Sequence, residues 1–254
     1  MKKIILLLLF LTFGSSVGAS EIELVYKIYK VDSPAPTIII GHHCGGTGTH
    51  DNEWAKQLNR WGFNAVVLDS FTPRNAFDVC KNKQVPTWKR TEETYKVAEL
   101  IKSEHWHKGK IGYIGHSHGG STAIYIASDR NNKHIDAAVA YYPYCGMDYG
   151  NREITTASPK IKLMLALAKL DDWTPYQPCM NKNKNLEIHL YENATHSFDQ
   201  HHPGWARIYL NYLIKHDTQA NIDSRVATRL FFKKYLEGII EDESIARSEF
   251  TTSR

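Results

Sequence analysis

The chain has 254 residues, with 31 lysines and arginines against 27 acids and a formal net charge of +4. That length suits one α/β domain with a sizeable core. The small charge excess, about +2 once a leader carrying Lys2 and Lys3 is removed, excludes a nucleic-acid footprint.

Residues 1–19 read as a secretory signal. Lys2 and Lys3 form the basic start, residues 4–13 an apolar core, and Val17-Gly18-Ala19 a small-residue cleavage site. The core is too short to span a bilayer, and no Cys follows it at a lipid-attachment position. The expectation is a secreted or periplasmic protein with no stable membrane anchor once the signal is cleaved. Cys44, Cys80, Cys145 and Cys179 remain. An even count in an exported chain points to two disulfides, three pairings being open, and the lack of a Cys-x-x-Cys pair argues against zinc.

A strand is expected within residues 21–30. Short, nearly continuous apolar runs then recur at 37–40, 65–68, 111–114, 137–141, 162–167 and 186–191, as in strands of a parallel sheet covered on both faces. Between them lie helical spacings: Trp54, Leu58 and Trp61; Val97, Leu100 and Ile101; residues 121–129; and Trp205, Ile208, Tyr209 and Tyr212. Ile222, Val226 and Leu230 mark one more helix face, which closes a domain over residues 20–240. The polar tail, 241–254, is expected to fray. With no repeat or linker in the way, the alternation implies a doubly wound, mostly parallel sheet with helices on both faces.

In such sheets ligands sit beyond the carboxyl ends of the strands, and three strand ends here carry chemistry. The run 111–114 leads into Gly115-His116-Ser117-His118-Gly119-Gly120, a Gly-x-Ser-x-Gly pattern between a strand and a helix. The pattern alone arises by accident in roughly one chain in ten, but that context makes it a nucleophile elbow. A serine hydroxyl needs a base to take its proton, and the base needs an acid to hold its tautomer. Residues 162–167 lead into Asp171-Asp172-Trp173-Thr174-Pro175, and 186–191 into His196-Ser197-Phe198 after Asn193. Of the two acids Asp171 is favoured; His201 and His202 compete with His196, whose place directly after the last strand favours it. The order Ser117, Asp171, His196 is that of α/β-hydrolases. The backbone N–H of His118 and that of Cys44, in the loop His42-His43-Cys44-Gly45-Gly46, are the candidate oxyanion donors. His116 and His118 with His42 and His43 could suggest a metal site, but an elbow points its neighbouring side chains apart, and no carboxylate follows at ligand spacing.

Taken together, these motifs resemble the dienelactone hydrolase family of α/β-hydrolases, in particular an exported branch. The resemblance spans about residues 37–232: the His42 to Gly46 loop, Asp69-Ser70-Phe71 with Arg74 and Cys80, the elbow, Tyr142-Pro143 with Cys145, Asp171 to Pro175 with Cys179, and His196-Ser197-Phe198. It implies an α/β-hydrolase fold, Ser117 as nucleophile, Asp171 as acid, His196 as base, and disulfides Cys44–Cys80 and Cys145–Cys179. Founding members use Cys where this chain has Ser117, which points to ordinary carboxylic esters. The family's oxyanion loop usually carries Gly where this chain has His43.

The implied activity is hydrolysis of a small-molecule ester through an acyl-enzyme, with no metal or organic cofactor, and His43, Arg74 and Trp173 as pocket residues. The rivals are an idle binding protein on the same fold and an acyltransferase, thioesterase or peptidase with the same triad.

Overall fold

A computed structural model describes residues 24–148, 150–200 and 202–251; the leader expected over 1–19 lies outside them. Strands β1 (Val25–Tyr29), β2 (Ala35–Gly41), β3 (Asn64–Asp69), β4 (His107–His116) and β5 (Ala137–Tyr141) alternate with helices α1 (Thr49–Arg60), α2 (Val79–Asn82), α3 (Thr87–Lys102) and α4 (His118–Ser128). A two-residue ribbon, β6 (Gly146–Met147) with β7 (Glu153–Ile154), precedes β8 (Lys162–Ala168) and β9 (Leu186–Tyr191). Strands β10 (Ala206–Tyr209) and β11 (Tyr212–Lys215) and helices α5 (Thr218–Phe232) and α6 (Glu243–Thr251) complete the chain.

Seven strands form one sheet in the order β1-β3-β2-β4-β5-β8-β9, parallel throughout except where β1 runs antiparallel to β3. Every apolar run expected as a strand is one, because its side chains alternate between two covered faces. In β2, Ile38 and Ile40 meet Trp54 and Leu58 of α1 and Phe232 of α5 in one core. Ile39 between them joins Val97 and Ile101 of α3 and Ile124 of α4 in the other. The chain leaves β2 for β3 on one side and later returns to β4 on the other. The carboxyl ends of β2 and β4 therefore lie side by side at the reversal, where open α/β sheets bind ligands.

Two expectations fail. The helix expected at 205–212 is the hairpin β10–β11, paired from Ala206↔Lys215 to Tyr209↔Tyr212. Its two connecting residues, Leu210 and Asn211, both have positive φ (49° and 70°), the requirement of a turn whose twist matches the strands. The apolar residues fit helical spacing equally well, and the turn decides the matter. The tail also does not fray over 243–251. It forms α6, with Ala246 buried and Phe250 packed on the core. Glu249 anchors it by accepting from Trp61 Nε1 (2.8 Å), Gln57 Nε2 (2.7 Å) and Arg229 Nη1 (3.0 Å). A tail that reads as polar thus carries a carboxylate matched to donors on α1 and α5.

Cys44 is joined to Cys80 and Cys145 to Cys179, the pairs the resemblance implies. Each closes a loop of about 35 residues and so restricts the unfolded chain. Reduction is expected to lower stability by about 2–4 kcal/mol per bridge. Alkylation of the unfolded protein, followed by mass spectrometry, should find no free thiol before reduction and four after it; free thiols before reduction would overturn the pairing.

Candidate active site

The end of β4 turns into α4 at Ser117, whose backbone is held at φ 54°, ψ −112°. Such a conformation is costly for a residue with a side chain and persists only where its surroundings enforce it. Here the enforcement is steric. A Cβ at Gly115 would lie 2.0 Å from the Gly119 carbonyl oxygen, and one at Gly119 would lie 2.1 Å from that of Gly41. Only bare backbone can cross at that distance, so the amino end of α4 is pressed against the end of β2. The Ser117 N–H donates to Tyr141 O (2.9 Å), and Ser121 N–H donates to Ser117 O (2.9 Å), pinning the turn from both sides.

From this turn Ser117 Oγ lies 3.0 Å from His196 Nε2, and His196 Nδ1 lies 2.7 Å from Asp171 Oδ2. All three residues are buried. The remaining acceptor sites of Asp171 are filled locally: Trp173 N–H (3.0 Å) and Thr174 N–H (2.8 Å) donate to Oδ1, and Thr174 Oγ1 donates to Oδ2 (2.8 Å). The neighbouring Asp172 is exposed. His202 is exposed as well, with Nδ1 at its own chain's Pro203 carbonyl (3.0 Å), while His201 lies outside the described residues. With Nδ1 facing a carboxylate, the neutral His196 ring carries its proton there and presents a bare Nε2 to the hydroxyl.

The loop after β2 lies beside the turn. His43 O accepts from Gly46 N–H (3.3 Å), and Cys44 O accepts from Val79 N–H (2.8 Å). The Cys44 N–H donates to nothing among the described residues. Arg90 of α3, buried, joins this loop to α4: Nη2 donates to His42 O (2.8 Å) and Nη1 to His118 Nδ1 (2.9 Å). Sequence reading missed Arg90 because its run, Thr87 to Lys102, shows only polar residues with scattered apolar ones. Arg74 lines neither cavity at the site. It is paired with Glu93 and donates to Ser70 O (2.6 Å), so it is a structural cation rather than the expected pocket residue.

Two cavities meet at Ser117, of about 450 Å³ and about 580 Å³. Cys44, Cys80 and Trp173 line both, and His43 and His196 only the first. Trp173 lies 4.8 Å from the His196 ring and stacks on Tyr212 of the hairpin (5.3 Å, 6°). The segment read as a helix thus supplies a wall of the site.

A second feature the sequence did not reveal is Asp199, buried behind the site. His50 Nε2 (2.8 Å) and Trp54 Nε1 (2.8 Å) donate to its Oδ2, and Tyr142 OH donates to Oδ1 (2.7 Å). His50, His116 and Asp199 bring one potential ligand atom each within 4.8 Å of one another. This set differs from His42, His43, His116 and His118, and it does hold a carboxylate, though three donors already occupy that group. His42 is committed elsewhere: Nδ1 donates to His43 O (2.7 Å) and Nε2 accepts from Ser70 N–H (3.2 Å).

Burial pushes His42, His116 and His118 well below the ordinary imidazole range, helped by Arg90 at His42 and His118 and by His50 at His116. Burial, then His50 and His196, push His43 down to about 4. At His50 burial is opposed and outweighed by Asp199, which raises it. At Asp199 burial is likewise outweighed, by the His50 charge and hydrogen bond, which lower it.

The family model described as "Dienelactone hydrolase family" matches residues 24–236. A carboxymethylenebutenolidase from Pseudomonas putida is 24% identical over 208 residues, 74% of this chain and 80% of that protein. Among solved structures, a dienelactone hydrolase from Anabaena variabilis superposes with a TM-score of 0.61 at 13% identity, covering 87% of this chain and 95% of its own. The carboxylesterase Cest-2923 from Lactobacillus plantarum does so with 0.58 at 17%, covering 85% and 94%. These likenesses in structure establish the α/β-hydrolase fold.

Two expectations follow. Unfolded imidazoles titrate near 6.5, whereas His42, His43, His116 and His118 stay neutral in the folded protein below that value. The stability they contribute is complete above about pH 6.5 and is lost as pH falls toward about 4, where His43 itself takes a proton. His50 acts in the opposite sense, contributing fully below 6.5 and losing its share as pH rises through its raised value. His107 and His134 are lowered as well, so with six imidazoles against one the melting temperature should drop between pH 7 and pH 5; a flat profile would contradict the assignment. Separately, Arg90→Met removes two charge-assisted hydrogen bonds and should cost about 2–4 kcal/mol in urea denaturation, a loss below about 1 kcal/mol showing that the bridge contributes little.

Proposed function

Since the chain belongs to the dienelactone hydrolase family and is a hydrolase of the α/β-hydrolase fold, we propose that it cleaves carboxylic esters with Ser117 as nucleophile, His196 as general base and Asp171 as the acid that orients it. The observation that carries this reading is the continuous contact from Ser117 Oγ to His196 Nε2 and from His196 Nδ1 to Asp171 Oδ2. In the first half-reaction Ser117 Oγ attacks the ester carbonyl carbon as its proton passes to His196 Nε2. The carbonyl oxygen becomes an oxyanion facing the amides of Cys44 and His118. Collapse of the tetrahedral adduct breaks the C–O bond to the leaving alcohol, which takes the proton from His196 and departs. Water then repeats the sequence: it gives its proton to His196, attacks the acyl-enzyme, and the proton returns to Ser117 Oγ as the acid leaves. Throughout, the Asp171 carboxylate stabilises the transient imidazolium.

Ser117 here and the Cys44–Cys80 disulfide support oxygen-nucleophile chemistry: the site holds no free thiol, Cys44 being tied to Cys80. The two disulfides suit export to an oxidising compartment, and no described helix is long and apolar enough to cross a membrane.

The test is hydrolysis of p-nitrophenyl acetate and butyrate, with thioester and amide analogues as controls for bond preference. Ser117→Ala and His196→Ala should each lower kcat by at least about a thousandfold, and a fluorophosphonate probe should label Ser117 alone. Labelling that survives Ser117→Ala, or equal turnover by the variants, would refute the assignment; product analysis with added alcohol separates hydrolysis from acyl transfer.

A further inference from the structure

His42 and His43 are adjacent and chemically identical, yet the structure uses them differently. Both ring nitrogens of His42 are engaged within the loop and with Ser70. At His43 only Nδ1 is engaged, accepting the Gly45 N–H at 2.9 Å. A ring nitrogen that accepts an N–H carries no proton, so the neutral ring must hold its proton on Nε2. The ring stays neutral down to about pH 4, owing first to burial and then to the neighbouring His50, His196 and Arg90. Among the described residues Nε2 has no hydrogen-bond partner.

The loop is also shaped around this ring. A Cβ at Gly45 would lie 2.7 Å from His43 Cε1 and 3.0 Å from Nδ1, so the imidazole occupies the space a side chain at position 45 would need. The ring lines the cavity of about 450 Å³ that also holds Ser117 and His196, and it does not line the second cavity. A residue whose neutral ring keeps its proton on Nε2 therefore lines one lobe of a two-lobed cleft at the Ser117 hydroxyl.

We propose that His43 is a specificity-determining residue whose Nε2–H donates to an ether, hydroxyl or carbonyl oxygen carried by the substrate on the one side of the scissile ester that enters this lobe. The class it selects is esters with an oxygen substituent close to the reacting carbonyl or alkoxy carbon, as in hydroxy-acid, alkoxy-acid or sugar esters, over esters of plain alkyl groups. A site holding a donor discriminates against an analogue that lacks the acceptor, because the donor is desolvated without replacement. His43 lines one lobe alone, so the preference belongs to the acyl side or the alcohol side and not to both.

This inference rests on the ester-hydrolase reading, and its test separates the two. Two isosteric pairs are compared by kcat/KM. On the acyl side the pair is p-nitrophenyl methoxyacetate against p-nitrophenyl butyrate; on the alcohol side it is 2-methoxyethyl acetate against butyl acetate. Each ratio is measured in the wild type, in His43→Phe, which keeps a ring without a donor, and in His43→Gln, which restores an N–H. Dividing the wild-type ratio by that of His43→Phe removes the intrinsic reactivity of the esters, and a ratio within one variant does not depend on how much of it is folded. The expected result is a quotient of about five to ten in favour of the oxygenated ester, in one pair only, with most of it retained in His43→Gln. A quotient near one in both pairs, or the same quotient in both, overturns the role of His43 while leaving the ester-hydrolase reading intact. No turnover of any of the four esters, with no labelling of Ser117, defeats that reading itself and the inference with it.

Discussion

The arrangement depends on a crossing of bare backbone, where the amino end of α4 meets the end of β2 with no side chain between them. The Gly119 and Gly41 peptides approach too closely for a Cβ, and that approach does two things at once. It forces Ser117 into a left-handed backbone conformation, raising its hydroxyl above the sheet edge. It also places the loop that follows β2 against the first turn of α4, so the amides of Cys44 and His118 come from two elements held in one position. Were α4 displaced by the width of a methyl group, both consequences would fail together, which is why the strain at Ser117 is affordable: the core on either side of the sheet, from Ile38 to Phe232 and from Ile39 to Ile124, resists the shift.

Around that crossing the polar groups are arranged so that each imidazole has one defined role. His196 faces a carboxylate and a hydroxyl, His42 braces the loop, and His118 accepts from Arg90. His50 belongs to Asp199. Burial holds His42, His43, His116 and His118 neutral, whereas the buried carboxylate of Asp199 raises His50. Arg90 holds a position comparable in importance to the crossing, since one guanidinium spans both halves of the site from beneath. A planar fork with separate donors can hold a carbonyl and a ring nitrogen at once, which a lysine ammonium on a flexible stem does less well.

Much of this was legible in the sequence because strand and elbow signals are local. The six apolar runs of the parallel sheet needed only alternation between covered faces, and Ser117, Asp171 and His196 each lie just beyond the end of a strand. What escaped reading was non-local. Arg90 and Asp199 look like ordinary polar residues until folding brings to them His42 and His118 in one case, and His50, Trp54 and Tyr142 in the other. The hairpin β10–β11 was misread because Trp205, Ile208, Tyr209 and Tyr212 satisfy a helical period. The distinguishing feature, positive φ at Leu210 and Asn211, has only the Asn as a sequence signal. For α6, the informative residue is Glu249, two of whose partners, Gln57 and Trp61, lie 192 and 188 positions away.

The misread hairpin bears on the shape of the cleft. Tyr212 carries Trp173, and Trp173 stands at the junction of the two cavities beside His196. On the other side the Cys44–Cys80 bridge fixes the loop that bears both a candidate oxyanion amide and the His43 ring. The cleft is thus divided by one aromatic wall supported from a surface hairpin and one covalent tie to the segment around α2. Under the proposed ester hydrolysis, a divider with Ser117 at its foot would place the acyl and alcohol portions of the substrate in different surroundings. The contacts among Ser117, His196 and Asp171 belong to the sheet edge, and the walls of the cleft belong largely to the segments laid over it.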